Sequence, residues 1–338
     1  MLPRKNFVCR DYAVRRENRG GFLNLYRTIL FIQFGKAYLR KYAGMPFCLR
    51  FLGGGKTLSV KMVLDGIVFS LEQEQDFSWL RRFGKVFCVF DKQDSGNLCF
   101  GIEQGETRYF VKYAGARTQR CPDEPAMAVQ RLKASAQVYR DFKEAPGLIR
   151  LLDSFPTAGG YAQVFDWEDG ECMHAHWTFD RWEKYTDPHS PFYRFTHLPL
   201  EEKLSALQTA VDFLVYTERL GYTAVDFYDG SLMYDFGKKQ MHICDIDFFQ
   251  KGPVINRMGK FWGSSRLQSP EEQTIGAAID SLSNVFTLGA LMFEMLGGGG
   301  RDRSLERWSA GKTRYQIALR AVEPKRENRY PSLAAFAK

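Results

Sequence analysis

A chain of 338 residues with 45% hydrophobic residues can build more than one core, so two lobes or domains are expected. Its formal charge of +8 suits a nucleotide, a nucleic acid or an acidic membrane surface equally, and selects none of them. The cysteines (Cys9, Cys48, Cys88, Cys99, Cys121, Cys172, Cys244) are odd in number, scattered and without a CxxC pair, which excludes a disulfide framework; Cys88, Cys99 and Cys244 sit in apolar runs and read as buried free thiols in a reducing cytosol.

In chain order, residues 1–61 are basic (Arg4, Lys5, Arg10, Arg15, Arg16, Arg19, Arg40, Lys41), punctuated by glycine and without a clean period. They read as a poorly ordered extension or a non-native start, with Met62 as the natural start. Ile29 to Phe34 is stopped by Lys36 and falls short of the ~18 apolar residues of a membrane span. GGGKTLS at 53–59 lacks the first glycine of a phosphate loop, because Arg50 stands there. From Phe83 to Ala114, GKVFCVFD, NLCFGIE and RYFVKYA alternate as strands joined by DKQDSG and EQGE turns. PDEPAMAVQRLKASAQVYRDFK reads as a helix behind a turn signal, then LIRLLDSF and YAQVFDW as strands. From Leu198 the pattern turns helical, and NVFTLGALMFEML is apolar all round, as a buried helix is.

Two carboxylates carry the chemistry. Asp226 follows the apolar run GYTAV, and Asp245 follows MHIC, with a turn from Asp235 to Lys239 between them. Delivered by neighbouring strand ends, they can converge, hold a cation and meet a hydroxyl proton, as phosphoryl transfer requires. Singly, each would read as a turn carboxylate. Lys112 lies among inward-facing strand residues, where an unpaired ammonium is costly; on an edge strand it would simply face solvent. The histidines show no metal-ligand spacing; His174 and His176 alternate without a matching set.

The order of AVDFYDGS, CDID, GSSRLQSPEE, NVFTLGALMFEML and ENRYPS, preceded by RYFVK, resembles the eukaryotic-type protein kinases over residues 77–338, in the form of a divergent bacterial serine/threonine kinase. The resemblance implies an α+β, two-lobed fold. A small antiparallel sheet with one helix would span 62–165, and a larger, mainly helical lobe 166–338. AVDFYDGS aligns with H-R-D-x-K-x-x-N, which implies Asp226 as the group that takes the acceptor proton. Ala224, Val225, Tyr228 and Ser231 replace the His, Arg, Lys and Asn. Asp245 stands for the Asp of D-F-G, implying Mg²⁺ held by Asp245 or Asp247, with Ser231 helped by Asp229. Lys112 would hold the ATP phosphates, and its helix partner has only Ala136 near the position and Glu124 as a candidate. Gly84 and Val86 would close a degenerate glycine loop in which Trp79 and Arg81 replace glycines. Phe165 would back the adenine pocket, with backbone groups of Asp166, Trp167 and Glu168 on the base. Glu271 would pair with Arg329, and Asn284 replaces the Asp of the D-I-Y-S-L-G helix. ATP, Mg²⁺ and a protein substrate are thereby implied, with no specific nucleic acid and no membrane. A pseudokinase scaffold and a small-molecule kinase of the aminoglycoside or sugar type are the alternatives.

Overall fold

The computed structural model describes residues 59–174, 178–299 and 302–338. The basic N-terminal residues, Cys9, Cys48, the glycine stretch up to Leu58 and His176 lie outside the described residues.

Val60–Leu64 (β1) and Ile67–Leu71 (β2) pair as a hairpin. Its two-residue turn, Asp65–Gly66, takes positive φ at both positions, as an Asp-Gly hairpin turn does. Met62 lies within β1, opposite Phe69, so the change of pattern seen there starts two residues earlier. Lys85–Phe90 (β3), Asn97–Gln104 (β4) and Thr107–Ala114 (β5) follow. The helix Pro125–Asp141 (α1) then leads to Leu151–Thr157 (β6) and Gly160–Asp166 (β7). These strands form one antiparallel sheet in the order β3-β4-β5-β7-β6.

Alternation divides the residues of this sheet between two faces. Leu98, Phe100, Ile102, Val111, Tyr113, Ala162 and Val164 share a cluster with Phe69 and Leu71 of β2, and with Phe77 and Leu80 of the following segment. Cys99, Lys112 and Gln163, directly opposite one another across β4, β5 and β7, belong to the other face. There α1 presents Ala128, Leu132, Ser135, Ala136 and Tyr139, a helical spacing of small residues that lets helix and sheet approach closely. Gln163 fastens the two by donating to the Leu132 carbonyl (2.7 Å) and to Ser135 Oγ (2.9 Å).

The remaining chain alternates helices with short strands. Its elements are Glu171–Cys172 (β8), Glu183–Thr186 (α2), Pro191–Thr196 (α3), Leu200–Arg219 (α4), Tyr222–Thr223 (β9), Leu232–Asp235 (β10), Gln240–Ile243 (β11), Gln250–Lys251 (β12), Val254–Ile255 (β13), Ala278–Ile279 (β14), Ser281–Leu296 (α5), Gly311–Ala321 (α6) and Leu333–Phe336 (α7). The fold is therefore α+β with several antiparallel sheets. The half expected to be mainly helical carries three small sheets: β8-β10-β11, β9-β12 and β13-β14. The reason is local, because the loops between its helices are partly buried and their backbone groups need partners that a helix cannot lend. Among the described residues, no helix is long and apolar enough to cross a membrane.

Helix α5 is buried on all sides, as its composition predicts, and Asp280 with Ser283 forms its capping box. Gly289 allows α6 to pack against it, since a Cβ there would lie 2.6 Å from the Ala321 Cβ. Asn284 of α5 grips Ala224 at both backbone atoms, accepting from its N–H (2.8 Å) and donating to its carbonyl (2.9 Å). That grip fixes the start of the loop carrying Asp226. The expected pairing of Glu271 with Arg329 is present, bidentate and buried, at 2.6 and 3.0 Å. Glu271→Gln is expected to lower stability by about 2 kcal/mol, since a charge-assisted pair becomes a neutral contact against a buried guanidinium. A urea titration reads the change as a shift in midpoint.

Candidate active site

Lys112 reaches from β5 across 133 residues of sequence to Asp245, donating to Oδ1 at 2.7 Å, and to Asp247 Oδ2, also at 2.7 Å. The Lys112 side chain is 8% exposed and that of Asp247 6%, whereas Asp245 is 47% exposed and opens to solvent. Burial alone would pull the Lys112 ammonium down; Asp245 and Asp247 outweigh it and hold it well above its ordinary value. Burial and the Asp245 charge push Asp247 up, against Lys112 and a hydrogen bond from the Tyr139 hydroxyl, and the net direction is upward. Tyr139 also accepts from the Ile246 N–H at 3.4 Å. Helix α1 thus meets this corner through a phenol, where a glutamate was sought. Glu124 sits at the far end of α1 and pairs with Arg117. Ala136 is buried one turn before Tyr139 on the same face.

Asp226 lies in a left-handed backbone conformation (φ 63°), as does Asp245 (φ 56°), a strained state for a residue with a Cβ. Gly263 packs against Asp226, a Cβ there lying 3.4 Å from its Oδ1. No side-chain donor bonds the Asp226 carboxylate among the described residues. Burial, followed by the charges of Asp245, Asp94 and Asp247, pushes its pKa up to about 8. Tyr228, two residues on, stays protonated for the same reasons, burial first and then Asp245 and Asp226. The Ser231 backbone carbonyl accepts from Cys244 N–H at 2.9 Å, tying the Asp226 loop to the strand end that delivers Asp245.

Beneath this loop lies a buried ionic cluster. Asp229 accepts from Lys184 and, at both carboxylate oxygens, from Arg266 Nη2 (3.0 and 3.1 Å), with His174 Nδ1 at 3.4 Å. Glu294 of α5 takes Lys184 (3.1 Å), Tyr185 hydroxyl (2.9 Å) and Arg266 Nη1. Burial opposes charge on Asp229, but Lys184, His174 and Arg266 prevail and hold it well below the usual carboxylate range. Arg266 belongs to GSSRLQSPEE, so the cluster binds that segment to the Asp226 loop. Asp229 was expected to help with metal; its carboxylate is instead committed to these cations.

Other expected site residues fall elsewhere. Val86 pairs with Ile102 and lies in the cluster beneath β1 and β2, on the face opposite Lys112. The expectation rested on the resemblance of FGKV to the end of a glycine loop, and just beyond it a register shift falls between Val86 and Cys88. Gly84 has φ 121°, and a Cβ there would stand 2.2 Å from the Glu103 carbonyl oxygen, so a neighbouring strand, not a phosphate, requires it. The loop that overhangs the site is Asp91–Gly96, between β3 and β4, read from sequence only as a turn; its Asp94 contributes to the charge around Asp226. Phe165 is fully buried, on the Lys112 face, with its ring 4.8 Å from Tyr139 and 6.1 Å from Phe110. The Asp166 and Trp167 N–H groups already donate to Arg150 and Arg108 carbonyls because sheet pairing continues past β7. The Glu168 N–H has no such backbone partner among the described residues. Cys88 and Cys99 are buried and Cys244 is half-buried, none of them in a disulfide, and burial pushes the Cys99 thiol up to about 12.

Among the described residues, no three His, Cys, Asp or Glu side chains gather so as to hold a metal ion unaided. The donors do fit an ion shared with phosphates. Asp247 Oδ1 and Ser231 Oγ are buried without hydrogen-bond partners, and Asp245 faces solvent. Mg²⁺ ordinarily takes one or two carboxylates and fills its sphere with phosphate and water. Among the described residues, Asp245 and Asp247 share the one Lys112 ammonium and their charges bear on Asp226, so cationic charge is what the corner lacks. No protein-family model matches this chain, and no curated protein matches it.

Proposed function

We propose that this protein transfers the γ-phosphoryl group of ATP to a hydroxyl in the presence of Mg²⁺, as a divergent serine/threonine protein kinase with a two-lobed kinase-like fold. The observation that carries the reading is the double contact of Lys112 with Asp245 and Asp247 beside a strained, unbonded Asp226. Asp245, with Asp247 Oδ1 and Ser231 Oγ, would hold the ion. When bound, the ion would offset the negative charge of the phosphoryl group in transfer. Lys112, cationic despite burial, positions the phosphates, and the half-buried rings of Phe110 and Phe87 on the same face offer a wall to the base. Asp226 orients the acceptor hydroxyl and takes its proton, and the Asn284 grip keeps its loop in place. A segment held at Arg266 and Glu271 beside Asp226 favours a polypeptide acceptor over a sugar. A second reading, a scaffold that binds nucleotide without transfer, draws on α1 offering Tyr139 instead of a carboxylate to this corner.

Incubation of the full chain with Mg²⁺ and γ-labelled ATP is expected to label a polypeptide serine or threonine. Lys112→Met should reduce that label about a hundredfold. It should also cost about 3 kcal/mol at neutral pH by leaving Asp247 buried without its cation. This cost shrinks as pH falls, because Asp247, already raised, takes up a proton. ATP binding without label would support the scaffold, and label on an aminoglycoside or sugar the small-molecule enzyme.

A further inference from the structure

The segment beside Asp226 exposes apolar and basic side chains together. Trp262 lines a small cavity with Asp226 and Gly263, and its ring is 5.2 Å from those of Phe248 and Phe261 while its outer edge stays exposed. Met258, Ile255 and Ile275 are exposed nearby, the last at 67%. Arg257 and Lys260 are exposed between them, and neither pairs with a carboxylate among the described residues.

This surface is built and rigid. Asn256 accepts from the Met258 and Gly259 N–H groups and donates to the Gly259 and Glu271 carbonyls. Its backbone pairs with Ala277 and Gly276, extending the β13–β14 ladder, and Phe261 N–H bonds the Glu272 carbonyl. Gly259 brings the turn against Ile275, whose side chain lies 3.4 Å from where a Cβ would sit. Of the nearby acids, Glu271 is paired with Arg329 and Asp280 with Arg326, while Glu272, which lines the same cavity as Trp262, is buried against Ser269 and burial pushes its pKa up to about 7. The outer part of the face therefore carries the unpaired positive charge of Arg257 and Lys260 beside an apolar centre, the other end of which touches Asp226.

We infer that this face docks the acceptor as an extended polypeptide segment, with an apolar side chain next to the target hydroxyl seated on Trp262 and acidic residues beyond it meeting Arg257 and Lys260. The inference rests on Asp226 being the group that meets the hydroxyl. Rigid apolar contact with a polar rim gives the position, and the opposite charges give the selection. An exposed apolar patch of this kind also suits an anionic membrane or a second copy of the chain. Its contiguity with the Asp226 cavity favours the polypeptide.

The test needs no catalysis. A fluorescein-labelled serine peptide with leucine after the serine and glutamates beyond is titrated with the full chain without ATP, beside a control with lysines for the glutamates. Anisotropy should show the acidic peptide binding about tenfold more tightly. Arg257→Glu with Lys260→Glu should reverse that order, with ATP affinity unchanged. Equal binding of the two peptides, or a preference that survives the reversal, would overturn the inference. So would loss in the double variant of binding to phosphatidylserine vesicles, or of self-association in sedimentation, in place of peptide binding. A bound acidic peptide that accepts no label from Mg²⁺ and ATP would count against the transfer reading alone.

Discussion

Asp226→Asn is expected to cut phosphoryl transfer about a thousandfold while making the folded protein more stable at alkaline pH. The loss follows from removing the group proposed to take the acceptor proton. The gain follows from the site itself: burial and the charges of Asp245, Asp94 and Asp247 raise the Asp226 pKa to about 8. Between its unfolded value near 4 and about 8, the folded protein binds a proton that the unfolded chain has released. Stability contributed by this group is therefore complete at acid pH and is lost as pH rises toward 8. An amide bears no such charge, so the variant should exceed the wild type by about 2 kcal/mol above pH 8 and match it near pH 4. Denaturant titrations at the two pH values measure this. The same ionisation runs the other way in activity: wild-type kcat/KM should climb with pH and level off above about 8, as free Asp226 loses its proton. A gain in stability with a loss of turnover is the signature of a group kept in an unfavourable setting for its chemistry.

The second large effect belongs to the cluster below the loop. Asp229→Ala is expected to cost about 4 kcal/mol, because Lys184 and Arg266 would be left buried with Glu294 as their acidic partner. Its direction with pH differs from that of Asp226. The Asp229 carboxyl is held below its usual range, so its contribution is present above the unfolded pKa near 4 and fades as pH falls further. The wild-type advantage over the variant should thus be constant from neutral pH down to about 5 and shrink below it. Transfer should fall along with stability, because Arg266 ties GSSRLQSPEE to the Asp226 loop through this carboxylate. A melting-temperature series against pH, run beside the transfer assay, separates the two losses.

Groups whose roles depend on strand ends were legible in the sequence. Lys112 on β5 and Asp226 and Asp245 at neighbouring loops are recognisable because each stands beside an apolar run that must be buried, whereas the Glu271–Arg329 tie was implied only by the resemblance of GSSRLQSPEE and ENRYPS to kinase segments. The buried helix α5 was equally plain, from an apolar character that no solvent-facing helix could tolerate. Val86 was expected at the site from its resemblance to the end of a glycine loop, and nothing in GKVFCVFD marks that it turns to the opposite face or where the register shift after it falls. Tyr139 was missed although it lies three residues beyond Ala136, since a carboxylate was sought at one position and a phenol reaches from the next turn. The Asp229 cluster was invisible for a different reason. Its partners lie 45, 37 and 110 residues apart, and only the folded chain brings them together. The short sheets around the loops were likewise hidden, because two-residue strands leave no period to read.

Lys112, Asp245 and Asp247 are proposed to form a seat for Mg²⁺ and ATP phosphates. Calorimetric titration of the full chain with ATP, with Mg²⁺ and with EDTA, tests it most directly when run on wild type and Asp245→Asn. The wild type should bind ATP with Mg²⁺ at least tenfold more tightly than without it, and Asp245→Asn should lose most of that difference while still folded, the equivalent of about 1.4 kcal/mol or more. ATP affinity indifferent to Mg²⁺, or a Mg²⁺ effect undiminished in Asp245→Asn, would contradict the account.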